Sequence, residues 1–331
     1  MKTLALQAAL LLKTLSALPC FTQVTKVTAI RGGLSHDCFK VEADNNYFFA
    51  KKITGDQRKN ELILAKVAAL NDLSPSVYYH DEQWVISHYI ENENLAEKEI
   101  PLRDKITISI GLMMKFHQLS TSYPHQINTN VVNTLNIMDT IKDLFPPNNQ
   151  LTLMAELIKY GREIEAFISE EMHNKTNNRV CCHSDINFSN ILSGKISENK
   201  EDAWLIDFEY ACFAPAEFDL AMFIAVNSIP KTLTNISINL YEQQAKVSVN
   251  KKLLNFYILF CHLINGLWYF NNSLDGKLNL MANVTANVTP DLTFKAQDKM
   301  RELAIEQWQA FDILYVHLKM SKNTVTLQKF I

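Results

Sequence analysis

Short runs of alternating apolar and polar residues occur between residues 24 and 53 and again between 77 and 86, and this alternation is typical of half-buried β-strands. The turn residues Asp44-Asn45-Asn46 separate two of the runs and predict a β-hairpin. A helical spacing of leucine and alanine residues follows at 62–69. The pattern therefore predicts an antiparallel sheet that carries one helix, with strands at 24–30, 38–42, 47–53, 77–79 and 84–86.

After residue 92 the apolar residues recur every three or four positions, as they do in amphipathic helices. Residues 179–207 differ, because their pattern indicates short strands joined by loops. The sequence thus predicts an α+β protein of two lobes with a cleft between them. A small β-rich lobe spans 1–91, and a larger, mainly helical lobe spans 92–331. The helices of the second lobe are predicted at 101–119, 150–173, 217–228, 251–270 and 293–319.

Residues 2–13 form an apolar run that Gln7 and Lys13 interrupt. A secretory signal is one interpretation of such a run, but no small-x-small cleavage pattern follows it. The interruptions favour an amphipathic first helix. The chain has no uninterrupted apolar stretch of about 20 residues, so no membrane-spanning segment is predicted.

Composition argues against several classes of protein. The chain has 331 residues, 47% of them apolar, and a formal net charge of -3, whereas a protein that coats nucleic acid normally carries a strong basic excess. None of the six cysteines forms a Cys-x-x-Cys pair, so neither a zinc site nor a redox dithiol is indicated. We expect reduced thiols, a cytoplasmic location and no nucleic acid among the partners.

The strongest chemical signal lies between two predicted strands. The segment His183 to Leu192 follows the apolar residues Val180-Cys181-Cys182, and a second apolar strand ends at Asp207. Asp185 can orient or deprotonate an incoming hydroxyl group. Asn190 and Asp207 supply oxygen ligands that suit Mg²⁺ bound to nucleotide phosphates. This spacing of carboxylates and amide indicates phosphoryl transfer.

The pattern His-x-Asp-x-x-x-x-Asn, followed by Ile206-Asp207-Phe208-Glu209, resembles the aminoglycoside phosphotransferase and choline kinase superfamily. Phe218-Asp219-Leu220-Ala221 resembles the motif that follows the metal-binding aspartate in that superfamily. The resemblance extends over residues 24–270. It implies a two-lobed protein-kinase-like fold, with ATP and Mg²⁺ as cofactors. It also implies structural roles for His183 and Asp219, which would support the loop that carries the catalytic Asp185.

The same resemblance implies nucleotide-binding residues in the first lobe. Gly32, Gly33 and Ser35 belong to a stretch similar to the short nucleotide loop of choline and thiamine kinase relatives. Lys51 falls at the position of the phosphate-binding cation, and strand alternation places its neighbour Lys52 on the opposite face. The aligned pattern favours Lys51 over Lys52 as that cation.

Two further assignments in this lobe have a structural alternative. Glu61 falls where the glutamate that pairs with the phosphate-binding cation is expected, and an exposed helix carboxylate is the other interpretation. Ser87 to Tyr89 lie where the two lobes join, and in the resembled fold backbone groups at this point bind adenine. The alternative is an edge strand followed by a connecting loop with no role in nucleotide binding, which would show the same sequence pattern.

The acceptor is predicted to be a small molecule, because Phe208-Glu209 replaces Phe-Gly and no activation segment precedes Phe218. The aromatic helix at 256–270 resembles one that contributes to the choline pocket of choline kinases. An aromatic wall attracts a quaternary ammonium through cation–π interactions. Trp268 and Glu209 are therefore the candidate substrate residues, with core packing as the alternative role of Trp268.

These observations predict an ATP-dependent kinase of a small, cationic alcohol of the choline, ethanolamine or thiamine type. An aminoglycoside or sugar phosphotransferase is the first alternative. A non-catalytic, pseudokinase-like binding module is the second, although Lys51, Asp185, Asn190 and Asp207 are all present.

Overall fold

The computed structural model describes residues 2–30, 37–53, 58–91, 93–128, 135–144, 151–173, 179–197, 200–274, 290–318 and 327. Its helices are α1 (Lys2–Ser16), α2 (Arg58–Ala69), α3 (Leu102–Ser122), α4 (Pro124–Asn128), α5 (Ile137–Leu144), α6 (Leu151–His173), α7 (Ala216–Val226), α8 (Lys231–Ala245), α9 (Lys251–Leu274) and α10 (Pro290–His317). Its strands are β1 (Val24–Ala29), β2 (Cys38–Ala43), β3 (Asn46–Lys52), β4 (Val77–His80), β5 (Trp84–His88), β6 (Glu93–Asn94), β7 (Arg179–Cys182), β8 (Ile191–Ser197), β9 (Lys200–Leu205) and β10 (Cys212–Pro215).

The first five strands form one antiparallel sheet in the order β1-β2-β3-β5-β4. The predicted hairpin joins β2 to β3, and Ala43 faces Asn46 across its two-residue loop. Asp44 and Asn45 in that loop have φ angles of 49° and 61°, the left-handed conformation that a tight hairpin turn requires. Asparagine and aspartate tolerate this conformation better than other residues with a side chain, which explains the turn.

The described residues contain two clusters of buried apolar side chains. The smaller one lies against the N-terminal sheet, where Leu15 at the end of α1 packs with strand residues such as Val41 and Ile86. The larger one surrounds α9, which packs against α5, α6, α7 and α10. Leu64 and Val67 of α2 belong to the larger cluster, so α2 connects the sheet to the helical part.

The fold class is confirmed as an antiparallel N-terminal sheet followed by a mainly helical part. The predicted helices are present with shifts of a few residues, whereas the sequence pattern does not predict α4, α5 and α8. The sequence of α8 is rich in threonine, asparagine and isoleucine, which are weak helix formers, and only a few of its positions are buried. Packing against α3 therefore stabilises a helix whose local signal is weak.

Helix α9 is long and apolar enough to cross a membrane, as judged by length and composition alone. However, 72% of its apolar window is buried inside the protein. The core helix of a folded domain meets the same criteria, so this helix is weak evidence for a membrane span.

Two short β-ladders position the polar loop that the sequence singles out. β7 pairs with β10, and β8 pairs with both β6 and β9. Residues 183–190 leave β7 and enter β8 through a short 3₁₀ helix, Phe188–Asn190. The loop is therefore fixed at both ends by strand pairing.

Candidate active site

A buried lysine links the N-terminal sheet to the helical part. Lys51 on β3 is only 8% exposed, and its Nζ donates to Glu61 Oε1 of α2 at 2.6 Å and to Asp207 Oδ1 at 2.8 Å. The adjacent Lys52 lies on the opposite face of the strand and is exposed. The structure thus brings together three residues that the sequence analysis assigned to nucleotide and metal binding.

The charge balance of this group favours a protonated lysine. Burial disfavours the ammonium, but the carboxylates of Asp207 and Glu61 outweigh this effect and raise the pKa of Lys51 above its ordinary value. Two carboxylates that share one ammonium leave a net negative charge, which is the environment that a divalent cation prefers.

Asp185 is held by two amide side chains from its own loop. Asn187 Nδ2 donates to Asp185 Oδ1 at 2.9 Å, and Asn190 Nδ2 donates to Asp185 Oδ2 at 2.7 Å. Burial raises the pKa of Asp185 to about 7, the two amide hydrogen bonds oppose this rise, and the charges of Asp207 and Glu209 add to it. The carboxyl group is thereby oriented and given a pKa in the range that suits proton transfer near neutral pH.

Asn190 ends the 3₁₀ helix directly before β8, and Asp207 lies two residues after the end of β9. The N–H of Ile206 donates to the carbonyl of Asn190 at 3.1 Å. Both are in position to offer an oxygen to a cation. In the part of the chain that the structure describes, no hydrogen bond uses Asn190 Oδ1 or Asp207 Oδ2. This all-oxygen donor set fits Mg²⁺. Asp207 has a φ of 69°, a left-handed conformation that is uncommon outside functional sites and turns.

The buried Asp219 anchors the start of the loop. It accepts hydrogen bonds from the backbone N–H of His183 at 2.9 Å and of Ser184 at 2.8 Å, so its predicted support of the loop is confirmed. α7, which carries Asp219, is apolar on all sides and buried, and its rigid packing fixes the carboxylate. His183 is fully buried, and its Nε2–H donates to the carbonyl of Ile206 at 3.1 Å.

One contributor to this anchor was missed from the sequence. His117 on α3 contacts Asp219 Oδ2 through Nε2 at 2.8 Å and the hydroxyl of Tyr241 through Nδ1 at 2.8 Å. Burial alone would raise the pKa of Asp219, but the hydrogen bond and charge of His117 lower it below its ordinary value. The available signal was a histidine between Phe116 and Leu119 on the apolar face of a predicted helix.

The predicted adenine-binding segment forms part of the sheet. Ser87 pairs with Phe49 in β3, and the N–H of Tyr89 donates to the carbonyl of Tyr47 at 3.1 Å. The Tyr89 ring lies 4.2 Å from Lys40 Nζ. The backbone N–H of Tyr89 is therefore already used in a hydrogen bond within the protein. Adenine recognition by Ser87 and Tyr89 stays a prediction. Gly32, Gly33 and Ser35 of the predicted nucleotide loop lie outside the described residues.

The two candidate substrate residues are both partly exposed. Trp268 on α9 is not part of the buried core, and its ring meets that of Tyr269 edge-on at 5.3 Å. Burial raises the pKa of Tyr269 to about 12, and the charge of Asp185 contributes to this rise. The Tyr269 hydroxyl and the Asp185 carboxylate therefore interact electrostatically. Glu209 is partly buried, and its charge acts on both Asp185 and Glu61.

The N-terminal sheet supplies a buried lysine, and the mainly helical part supplies Asp185, Asn190 and Asp207. This arrangement defines a kinase-like fold. The family model of choline/ethanolamine kinases matches residues 27–260. The chain therefore belongs to the choline/ethanolamine kinase family. A search of curated protein sequences finds no significant match.

Solved structures with the same fold include two choline kinases. The choline kinase LicA from Streptococcus pneumoniae has a TM-score of 0.60 at 14% identity, over 90% of this chain and 98% of that chain. A choline kinase from Cryptosporidium parvum has a TM-score of 0.61 at 13% identity, over 98% of this chain and 99% of that chain. Spectinomycin phosphotransferase, in complex with ADP and spectinomycin, has a TM-score of 0.54 at 17% identity, over 91% of this chain and 98% of that chain.

Proposed function

We propose that this protein transfers the γ-phosphoryl group of ATP to the hydroxyl of a small, cationic alcohol of the choline, ethanolamine or thiamine type. The observation that carries the proposal is the buried Lys51, which bonds to Glu61 at 2.6 Å and to Asp207 at 2.8 Å. An ammonium group next to two carboxylates suits a site that binds both phosphate oxygens and a metal ion, because the ammonium attracts the phosphates and a carboxylate attracts the metal. Membership of the choline/ethanolamine kinase family supports the same reaction.

Each polar residue of the site has a separate task in this proposal. Lys51 binds phosphate oxygens, and Glu61 holds the ammonium in place. Asp185 accepts the proton of the acceptor hydroxyl and orients that oxygen toward the phosphate. Asn190 and Asp207 would hold Mg²⁺, which neutralises charge on the phosphates when it is bound. Support for a bound nucleotide comes from LicA, which has been crystallised with AMP.

The aromatic residues Trp268 and Tyr269 of α9 favour a cationic acceptor. Trp268 and Tyr269 are partly exposed on the same turn of α9, and the charge of Asp185 acts on Tyr269. A quaternary ammonium against such rings gains about 0.5–2 kcal/mol from cation–π attraction. Glu209 would add a negative charge on the acceptor side. We further propose a cytoplasmic location, because ATP is available there and all six cysteines are free thiols.

A panel of acceptors tests the proposal. The purified protein is given ATP and Mg²⁺ with choline, ethanolamine, thiamine, a sugar amine or spectinomycin, and phosphorylated product is measured by mass spectrometry. We expect phosphorylation of a cationic alcohol, and far less product from the Asp185→Asn variant. Transfer to the aminoglycoside or the sugar amine alone would favour an aminoglycoside or sugar phosphotransferase. Nucleotide binding without transfer to any acceptor would favour a binding module and contradict the proposal.

A further inference from the structure

The loop that carries Asp185 contains a strained residue. Ser184, directly before Asp185, has a φ of 67°. This left-handed conformation costs a residue with a β-carbon some conformational energy, so the surrounding structure must hold it in place. Asp219 does so on the N-terminal side, through the N–H groups of His183 and Ser184. Asp185 itself lies one residue beyond this anchor, so its position also depends on what holds the residues that follow.

A second anchor lies on the C-terminal side of Asp185. The side chain of Asn227, at the end of α7, donates from Nδ2 to the carbonyl of Ile186 at 2.9 Å and accepts at Oδ1 from the N–H of Phe188 at 2.9 Å. The same Nδ2 donates to the carbonyl of Phe223, one turn back on the helix, at 2.9 Å. The side-chain amide is therefore itself held rigidly while it binds the loop backbone on both sides of Asn187.

These contacts require an amide. Ile186 presents an acceptor and Phe188 presents a donor, and only an amide offers a donor and an acceptor in the matching planar arrangement. A carboxylate of the same shape would keep the bond to Phe188 but would face the carbonyls of Ile186 and Phe223 with negative charge. Asn227 lies eight residues after Asp219 on the same buried helix, so both anchors move as one body with α7.

We propose that Asn227 is a positioning residue, which fixes Asp185 by clamping the backbone on its C-terminal side while Asp219 clamps the other side. This inference rests on the proposed function, since a fixed Asp185 matters only where Asp185 acts on a hydroxyl. Within the described part of the chain, the side-chain hydrogen bonds of Asn227 reach Ile186, Phe188 and Phe223 but neither Lys51 nor Asp207, so nucleotide binding should be independent of it.

The test compares Asn227→Asp with Asn71→Asp. Asn71 is a matched control, because its Nδ2 also donates to a carbonyl one turn back, Val67 at 2.8 Å, but α2 and not the loop receives the bond. We expect Asn227→Asp to lower kcat by about 10- to 100-fold, since a displacement of about 1 Å at a reacting group can cost that much. The dissociation constant of ATP, measured by calorimetry, should stay at the wild-type value, and Asn71→Asp should retain wild-type kcat.

Amide hydrogen exchange gives a readout that does not need activity. Peptides that contain residues 183–190 should exchange faster in Asn227→Asp than in Asn71→Asp, while peptides from α3 and α9 exchange alike. If Asn227→Asp does not fold, Asn227→Ser takes its place, because a hydroxyl cannot satisfy both Ile186 and Phe188.

The possible results separate the two proposals. Unchanged kcat in an Asn227 variant, or a loss of ATP affinity and of exchange protection throughout the chain, would overturn the positioning role. If wild-type protein phosphorylates no acceptor, the proposed function fails. The exchange rates of residues 183–190 then still decide whether Asn227 clamps the loop, and equal rates in the two variants would overturn that clamp.

Discussion

At the scale of single residues, the site depends on one buried ammonium. Lys51 and Glu61 each have side chains that are only 10% exposed, whereas Asp207 is 33% exposed. Removing one partner of such a buried pair typically costs about 3–5 kcal/mol, because the remaining charge is left without compensation. Lys51 therefore contributes both to the stability of the site and to its proposed affinity for phosphate.

The first prediction compares adjacent lysines. Lys51→Met should lower kcat/KM for ATP by about 100-fold or more, because a cation that acts on developing charge in a desolvated site is lost. Lys52→Met should have little effect, since Lys52 faces solvent. Steady-state kinetics at varied ATP measures both variants. A larger loss in Lys52→Met would show that Lys52 is the residue that contacts the phosphates.

The second prediction concerns Asp185. Asp185→Asn should reduce kcat by about 10²- to 10⁴-fold, because the amide keeps the shape of the side chain but accepts no proton. Binding of ATP should change little, since Lys51, Asn190 and Asp207 are the groups assigned to the phosphates and the metal. Calorimetry and product formation on one preparation test both parts. An equal loss of ATP binding would move Asp185 to the nucleotide site.

At the scale of elements, α9 and α10 approach each other closely at one glycine. A β-carbon added at Gly266 would lie 2.2 Å from Trp308 Nε1, and Trp308 is fully buried. The same indole N–H donates to the carbonyl of Leu263 at 3.2 Å, which fixes the ring. The absence of a side chain at residue 266 is therefore what allows this helix pair to form around Trp308.

The third prediction follows from this contact. Gly266→Ala should destabilise the protein by about 1–3 kcal/mol, because an overpacked core shifts a ring that has no room to move. Gly111→Ala is the control, since its β-carbon would meet only Gln244 Oε1 at 3.8 Å. Alanine within α3 should even add up to about 1 kcal/mol of stability. Urea unfolding of the two variants is the measurement, and equal midpoints would contradict the described packing.

At the scale of the whole molecule, Lys51 connects two apolar cores. The N-terminal sheet covers its own cluster around Leu15 and Val41, whereas Asp207 follows a strand of the other part. The bond between Lys51 and Asp207 spans 156 residues of sequence. A nucleotide that contacts both residues would be bound only when the N-terminal sheet and the helical part are assembled, and its binding should therefore stabilise the whole fold.

The fourth prediction uses this linkage. ATP with Mg²⁺ at 100 times its Kd should stabilise the wild-type protein by about 2.7 kcal/mol, seen as a rise in Tm. EDTA removes the Mg²⁺-dependent part of this rise in Tm from the wild-type protein. In Asp207→Ala that part should be absent from the start, because a methyl group cannot bind the cation. Asp139→Ala, which removes an exposed carboxylate on α5, should keep the full rise. A wild-type Mg²⁺-dependent shift in Asp207→Ala would exclude Asp207 from the metal site.

What the sequence determines here is local. The Asp44-Asn45 turn connects Ala43 to Asn46, and the bond between Asp185 and Asn190 joins residues five positions apart. Turn preferences, side-chain alternation and short polar motifs act over such distances, because the intervening chain has few conformations. The fold class and the order of most elements could be predicted from these signals, whereas α4, α5, α8 and β10 could not.

Only the tertiary structure decides the contacts that span long stretches of chain. His117 meets Asp219 across 102 residues, and Asn227 meets Ile186 across 41 residues. Neither residue carries a local signal of its role, because a histidine on an apolar helix face and an asparagine at a helix end are common everywhere. Their hydrogen-bond partners exist only once α7 is buried between α9 and the loop, since packing alone sets the distance and direction between distant polar groups.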